Sequence, residues 1–138
     1  MGAPLMAVVI DTSVAVAWFV PSQAGSYADR IARRVRHEAL VVPSLWEVEF
    51  GNVMTTLLRR KLLARHQVAS VLAKAERLDL TVDRDVATAR VLFTLAEQHG
   101  ISAYDAAYLE LAVRRGLPLA TRDTSLARAA RSAGVLLN

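Results

Sequence analysis

The chain of 138 residues contains no cysteine. That one absence removes disulfides, thiolate zinc sites and cysteine nucleophiles together. It is compatible with the cytoplasm, which is the expected location. Long apolar runs are missing too. The longest candidate, Val14 to Val20, is too short to span a bilayer and follows polar residues, so no membrane partner is expected. No basic region precedes an apolar one near Met1, so no secretory signal is expected. Internal repeats, low-complexity segments and linkers are also absent. Lysine is scarce, at Lys61 and Lys74 only, so the net charge of +4 rests on arginine.

Alanine, valine and leucine dominate, and charged residues, at 22%, are at ordinary levels, which argues against disorder. The length suits a single domain able to bury a core. Arginine forks hold phosphate groups bidentately, so a polyanionic partner fits the basic balance. Arginine is also common in proteins of GC-rich genomes, so this signal matters only if the acids are clustered.

The chain is organised around Ala7-Val8-Val9-Ile10-Asp11-Thr12-Ser13. A β-branched run ending on a carboxylate reads as a buried central parallel strand that delivers an acid to the sheet's edge. Ligands of open α/β sheets sit just beyond the carboxyl ends of the strands. Asp11 therefore has two readings, a site residue or the cap of a helix starting near Val14.

Val14 to Val20 reads as a short helix closed by Pro21. Ser22 to His37 reads as a second helix, with Tyr27, Ile31 and Val35 at helical spacing. Ala39 to Val42 is the second strand. Ser44 to about Lys61 is a long helix, with Ser44 as N-cap and Glu47 three residues on in the capping-box arrangement. Glu49 has no such local occupation. It shares a face with Leu45, Val48, Asn52, Val53 and Thr56, expected to face the sheet. A carboxylate in an apolar stripe is costly unless paired or bound to a metal, so Glu49 is the informative acid of this helix. Trp46, Phe50 and Leu57 form a second stripe, read as core packing, with a self-association surface or partner-helix groove as the sharper alternative.

Arg59-Arg60-Lys61, Arg65 and His66 make a basic patch near a helix end, which a solvated C-terminus explains. Ala64 to Leu78 reads as a helix and Leu80 to Val82 as a strand. Asp83 and Asp85 read as first-turn acids of a helix over Arg84 to His99, closed by Gly100. Ser102 caps the helix Ala103 to Arg115. Asp105 lies in its first turn, beside a stripe of Tyr104, Ala107, Tyr108, Leu111 and Ala112 expected to be buried. Glu110 and Arg114 form an exposed pair at i, i+4. Leu117 to Ala120 reads as a strand running into Thr121-Arg122-Asp123, followed by the helix Thr124 to Ser132 and a short strand, Gly134 to Leu137. Asp123, like Asp11, follows a strand and precedes a helix. Strands alternating with helices throughout predict a three-layer α/β domain around a mainly parallel sheet.

Asp11, Glu49, Asp105 and Asp123 thus all fall at strand ends or at the starts of sheet-packing helices. Carboxylates sharing one cleft raise one another's pKa unless a cation lies among them. An all-oxygen set without Cys or His suits Mg²⁺ or Mn²⁺, not Zn²⁺. Such ions activate water toward a phosphodiester, which explains why acids and arginines occur together.

Four segments, taken in order, resemble the PIN-domain family, and within it the ribonuclease toxins of VapBC toxin–antitoxin pairs. They are Val9-Ile10-Asp11-Thr12-Ser13; Pro43-Ser44-Leu45 with Glu49-Phe50-Gly51-Asn52; Tyr104-Asp105-Ala106-Ala107-Tyr108; and Thr121-Arg122-Asp123. The resemblance implies a PIN fold and a toxin whose Mg²⁺- or Mn²⁺-dependent endoribonuclease site is built from Asp11, Glu49, Asp105 and Asp123. It makes Thr12, Ser13, Asn52 and Thr121 supporting polar groups. It also implies an RNA substrate, a homodimer and a small VapB-type antitoxin that blocks the acidic cleft. Thr55 to His99 carries no segment of the family, so nothing there fixes the RNA target. A haloacid-dehalogenase-like phosphatase would need an aspartate where Ser13 stands. A response-regulator receiver would need an acidic pair and a late buried lysine, and neither is evident. The alternative from another class is a catalytically silent RNA- or protein-binding module of the same fold.

Overall fold

A computed structural model describes residues 7–21 and 24–137. The β-branched run at the start forms strand β1 (Ala7–Ile10), and Val8, Val9 and Ile10 are each at most 1% exposed. Burial on both faces is what a continuous apolar run requires of a parallel strand. The order of elements continues with α1 (Thr12–Phe19), α2 (Ser26–Arg34), β2 (Ala39–Pro43), α3 (Leu45–Arg59), α4 (Arg65–Glu76) and β3 (Leu80–Asp83). Then come α5 (Ala89–His99), α6 (Ala103–Arg115), β4 (Leu119–Ala120) and α7 (Thr124–Ser132).

The strands form one sheet in the order β3-β2-β1-β4, and every pairing is parallel. β1 is central, with Val9 opposite Val41 on one side and Leu119 on the other. α6 packs on β1 and β2 with α5 and α7 beside it, while α1, α2, α3 and α4 pack on one another. The result is the expected three-layer α/β arrangement with a wholly parallel sheet. Its consequence for function is direct: β1 and β4 are neighbours, so the turns leaving their carboxyl ends lie side by side.

Several boundaries differ from the sequence expectations, each for a local reason. α2 is shorter than Ser22 to His37, and Ser22 lies outside the described residues. α3 ends at Arg59 because Lys61 takes a left-handed conformation (φ 58°) and the chain folds back, Leu62 N–H donating to Leu57 O. The capping box at its start does not form. Ser44 is itself in helical conformation and makes no side-chain cap, and Glu47 is exposed. α5 begins at Ala89 rather than Arg84. Asp83 is drawn instead to Arg114, which holds both its oxygens at 3.1 and 3.2 Å, and Thr88 Oγ1 caps the helix. Arg114 keeps the predicted pair with Glu110 (2.7 Å) as well, and holds the Asp83 carboxyl below its usual range. The final strand reduces to one bridge, Leu119 to Leu136, because β4 is only two residues long.

The phase of two helices is also corrected. On α3 the buried face is Trp46, Phe50, Met54 and Leu57, so the second stripe is core and no self-association surface. Val48, expected to face the sheet, is 70% exposed. On α6 the buried residues are Ala106, Tyr108, Leu109, Leu111 and Ala112, whereas Tyr104 is 62% exposed. The two helices nevertheless start and stop close to where expected. Gly100 and Gly116 end α5 and α6 with φ of 65° and 63°, which only glycine adopts cheaply.

Candidate active site

Asp11 is the first residue beyond β1, and only 5% of it is exposed. A carboxylate there must be hydrogen-bonded, and it is. Ser13 Oγ donates to Oδ1 (2.6 Å), as does the Val14 N–H (3.3 Å), while Thr121 Oγ1 donates to Oδ2. Asp11 is therefore a helix cap and a cleft residue at once, since the same turn serves both. Burial pushes its carboxyl above the usual range; the Ser13, Thr121 and Val14 donors oppose this, and the Asp123 charge adds to it.

The turn after β4 is laced to the turn after β1. Thr121 Oγ1, while donating to Asp11, accepts from the Asp123 N–H (3.0 Å), and Ser13 Oγ accepts from the Arg122 N–H (3.2 Å). Asp123 in turn caps α7, Oδ1 accepting from the Leu126 N–H (2.8 Å). Two hydroxyls, the buried one of Thr121 and the half-buried one of Ser13, thus fix the spacing of two acids that lie 112 positions apart in sequence.

Glu49 comes from α3, on the other wall. Its Oε1 accepts from Tyr108 Oη (2.6 Å) and Thr12 Oγ1 (3.1 Å), which are themselves 2.8 Å apart. None of these bonds uses Oε2. Tyr108 is 1% exposed, and burial followed by the Glu49 carboxylate raises its phenol well above its usual value, so it is a hydroxyl donor at any ordinary pH. Glu49 therefore stands beside the buried stripe rather than within it, and Tyr108 is the partner that accounts for it. The sequence reading placed Tyr108 in the core and missed this role. The available signal was its hydroxyl, which a buried tyrosine must satisfy.

Asp105 sits in the first turn of α6, its N–H donating to Ser102 Oγ (3.1 Å). Its carboxyl is pushed up to about 6, first by burial and then by the charges of Asp123, Asp11 and Glu49. All four acids therefore share one field. They line a single cleft of about 460 Å³, together with Thr12, Ser13, Asn52 and Arg122. Thr121 is the one expected supporting residue behind the wall, 3% exposed, acting through Asp11.

Among the described residues no three carboxylate or imidazole groups stand close enough to form a ready-made metal cage. The donor chemistry nonetheless fits a hard divalent cation: four carboxylates and several hydroxyls, with no thiolate or imidazole in the cleft. Mg²⁺ keeps most of its waters and needs only one or two carboxylates directly. A cation would also relieve the mutual repulsion recorded in the raised Asp105 carboxyl.

Tyr108→Phe provides a test of the Glu49 wall. It removes one hydroxyl from a packed site, so unfolding stability should fall by about 1 kcal/mol. Binding of Mn²⁺, followed by titration calorimetry, should weaken by roughly 10-fold, the usual cost of losing a partner that orients a ligand. Unchanged metal binding would show that Glu49 takes no part in it.

Comparison with known proteins agrees with this fold. The family profile described as PIN domain matches residues 8–132. Ribonuclease VapC3 from Pyrobaculum aerophilum is 31% identical over 124 residues, covering 88% of this chain and 93% of that protein. The crystal structure of PAE2754 from Pyrobaculum aerophilum superposes with a TM-score of 0.63 at 21% identity, covering 93% of this chain and 87% of the other, a likeness of fold. With its parallel sheet, its four-acid cleft and a profile match over nearly its whole length, this chain belongs to the PIN-domain family.

Proposed function

We propose that this protein is a divalent-cation-dependent endoribonuclease and the toxin component of a VapBC-type toxin–antitoxin pair. The observation that carries the reading is the gathering of Asp11, Glu49, Asp105 and Asp123 in one cleft at the carboxyl ends of β1 and β4. Similarity to a protein named ribonuclease VapC3 supports the substrate class and the toxin assignment.

In this reading Asp11, Asp105, Asp123 and Glu49 hold the cation. When bound it supplies Lewis acidity at the phosphodiester and lowers the pKa of water beside it. The chain's own groups do the rest. Ser13, Thr121 and the Val14 N–H hold Asp11 in one rotamer, and Thr12 and Tyr108 do the same for Glu49. Preorganised ligands spare the reorganisation that flexible carboxylates would need. Asp105, raised to about 6 by burial and by its acidic neighbours, can exchange a proton near neutrality, and burial raises Asp11 as well. Asn52, one turn beyond Glu49 and on the cleft wall, is placed to hydrogen-bond the substrate.

The same reading includes a second copy of the chain, an antitoxin that covers the acidic cleft, and action in the cytoplasm. α5 supports a self-association face: it buries no residue fully and leaves Val91 and Phe93 exposed. No helix of the described residues is long and apolar enough to cross a membrane. One observation favours a silent binding module instead, namely that no metal cage is preformed among the described residues.

One experiment separates the two. Purified protein is incubated with total cellular RNA in Mg²⁺ or Mn²⁺, and in parallel with EDTA. Discrete fragments that appear only with the metal are expected. Intact RNA under every condition, after removal of any co-purifying small protein, would leave the binding module.

A further inference from the structure

Next to the acidic cleft lies a second groove, of about 340 Å³, between α2, α7 and the turn after β4. Its walls carry Arg122, Arg128, Arg131, Tyr27 and Thr124, and it shares Arg122 and Asp123 with the cleft. The two depressions thus adjoin at one residue pair. Arg128 and Arg131 stand at i, i+3 on α7, so they share a face of that helix. Both are exposed, and no carboxylate pairs with either among the described residues. Arg30 does not line the groove itself, but its guanidinium stands 5.5 Å from the centre of the Tyr27 ring that does.

A solvated helix face would explain one exposed arginine. It does not explain why the arginines converge on a concave surface that borders a cleft lined by four acids. An acidic cleft repels a polyanion everywhere except where a cation sits, so a strand entering it needs compensating charge beside it. Guanidinium forks meet phosphate oxygens bidentately, which fixes the strand as well as attracting it.

We infer that the groove walled by Arg122, Arg128, Arg131 and Tyr27 is a backbone subsite for single-stranded RNA, holding the phosphates next to the one in the acidic cleft. The inference rests on the nuclease reading for its choice of RNA. It predicts that the groove sets affinity and salt dependence without choosing sequence, because phosphate contacts carry no base information.

The test is binding of a fluorescein-labelled, random-sequence single-stranded RNA pool, followed by anisotropy in EDTA across a salt series. The proteins compared are the full chain, the pair Arg128→Ala with Arg131→Ala, the pair Arg128→Lys with Arg131→Lys, and a distant pair, Arg36→Ala with Arg77→Ala, which lines a separate groove beside the start of β2 and shares no residue with either depression. The α7 alanine pair should weaken binding by about tenfold or more. It should also flatten the slope of log K against log salt by about 1.4, two phosphates at about 0.7 each. The lysine pair should keep most of the slope, and the distant pair should lose neither. If the alanine pair fails to fold, Arg131→Gln alone should flatten the slope by about 0.7.

An unchanged slope, an equal loss from the distant pair, or no RNA binding by the full chain would overturn the subsite. So would displacement of the RNA by polyglutamate at equal charge, since the groove would then recognise acidic polypeptides as well. Cleavage of the same pool, read in parallel, keeps the two readings apart. Binding that depends on the groove without any cutting defeats the nuclease alone. Metal-dependent cutting with unchanged binding by the groove variants defeats the subsite alone.

Discussion

Asp11→Asn is expected to lower RNA cleavage by roughly 10³-fold or more while leaving the fold intact, with a melting temperature at pH 7 equal to or above that of the natural chain. The two effects share one cause. Asp11 is 5% exposed, and its carboxyl is raised chiefly by burial, so the charged form needed to hold a cation is the form the folded protein disfavours. Folded, the group binds its proton more tightly than in the unfolded chain. Its contribution to stability is therefore full below the ordinary carboxylate range near 4 and is lost as pH rises through the folded-state value. An amide never acquires the charge, so the loss at neutral pH disappears.

The amide can also keep the local hydrogen bonds. Its oxygen can accept from Ser13 and Val14, and its nitrogen can donate to Thr121 Oγ1, whose own hydrogen turns away. Cleavage assays and thermal unfolding at pH 7 check the prediction together. Full activity would remove Asp11 from the site. Lost activity with a lower melting temperature would mean that Asp11 acts mainly as the cap of α1.

The fold and three of the four acids were legible in the chain for a shared reason. Asp11, Asp105 and Asp123 all stand where a strand gives way to a helix or in a helix's first turn, and such positions announce themselves through short-range pattern. Capping and site geometry coincide there: Asp11 and Asp123 accept helix N–H groups in the structure, and both line the cleft. The choice of Glu49 over Glu47 also agrees with the cleft, although the capping box used to set Glu47 aside does not form.

Long-range partners were not legible. Tyr108 holds Glu49 from 59 residues away, and Thr12 reaches it across 37. Periodicity told that α6 has a buried stripe, but not that one hydroxyl in the stripe turns toward the cleft. The phase errors have the same origin. α3 carries two apolar stripes, and the choice between them depends on which one the neighbouring elements cover. The structure covers Trp46, Phe50, Met54 and Leu57 and leaves Val48 outside. The misplaced start of α5 is tertiary as well, because Arg114 takes Asp83 out of the helical pattern from 31 residues away.

Mn²⁺ should raise the melting temperature far more at pH 7 than at pH 5, and Asp105→Asn should remove most of that difference. The Asp105 carboxyl titrates at about 6 in the folded chain, raised by burial and by Asp123, Asp11 and Glu49. In the unfolded chain it titrates near 3.9. Between those values the folded protein holds a proton that the unfolded chain has released. The stability this gives is complete below about pH 4 and is lost as pH rises through about 6. Without metal, the natural chain should therefore melt at a lower temperature at pH 7 than at pH 5.

A cation in the cleft inverts the balance, since it favours the ionised carboxylates that repel one another without it. At pH 5 it must first displace the Asp105 proton; at pH 7 it meets an open ligand. At a metal concentration about 100 times the dissociation constant, the gain is about 2.7 kcal/mol, or about 8 °C for a domain of this size. Differential scanning calorimetry with Mn²⁺ and with EDTA at both pH values measures it. Equal shifts at pH 5 and pH 7, or an undiminished difference in Asp105→Asn, would place the cation away from Asp105 and break up the four-acid site.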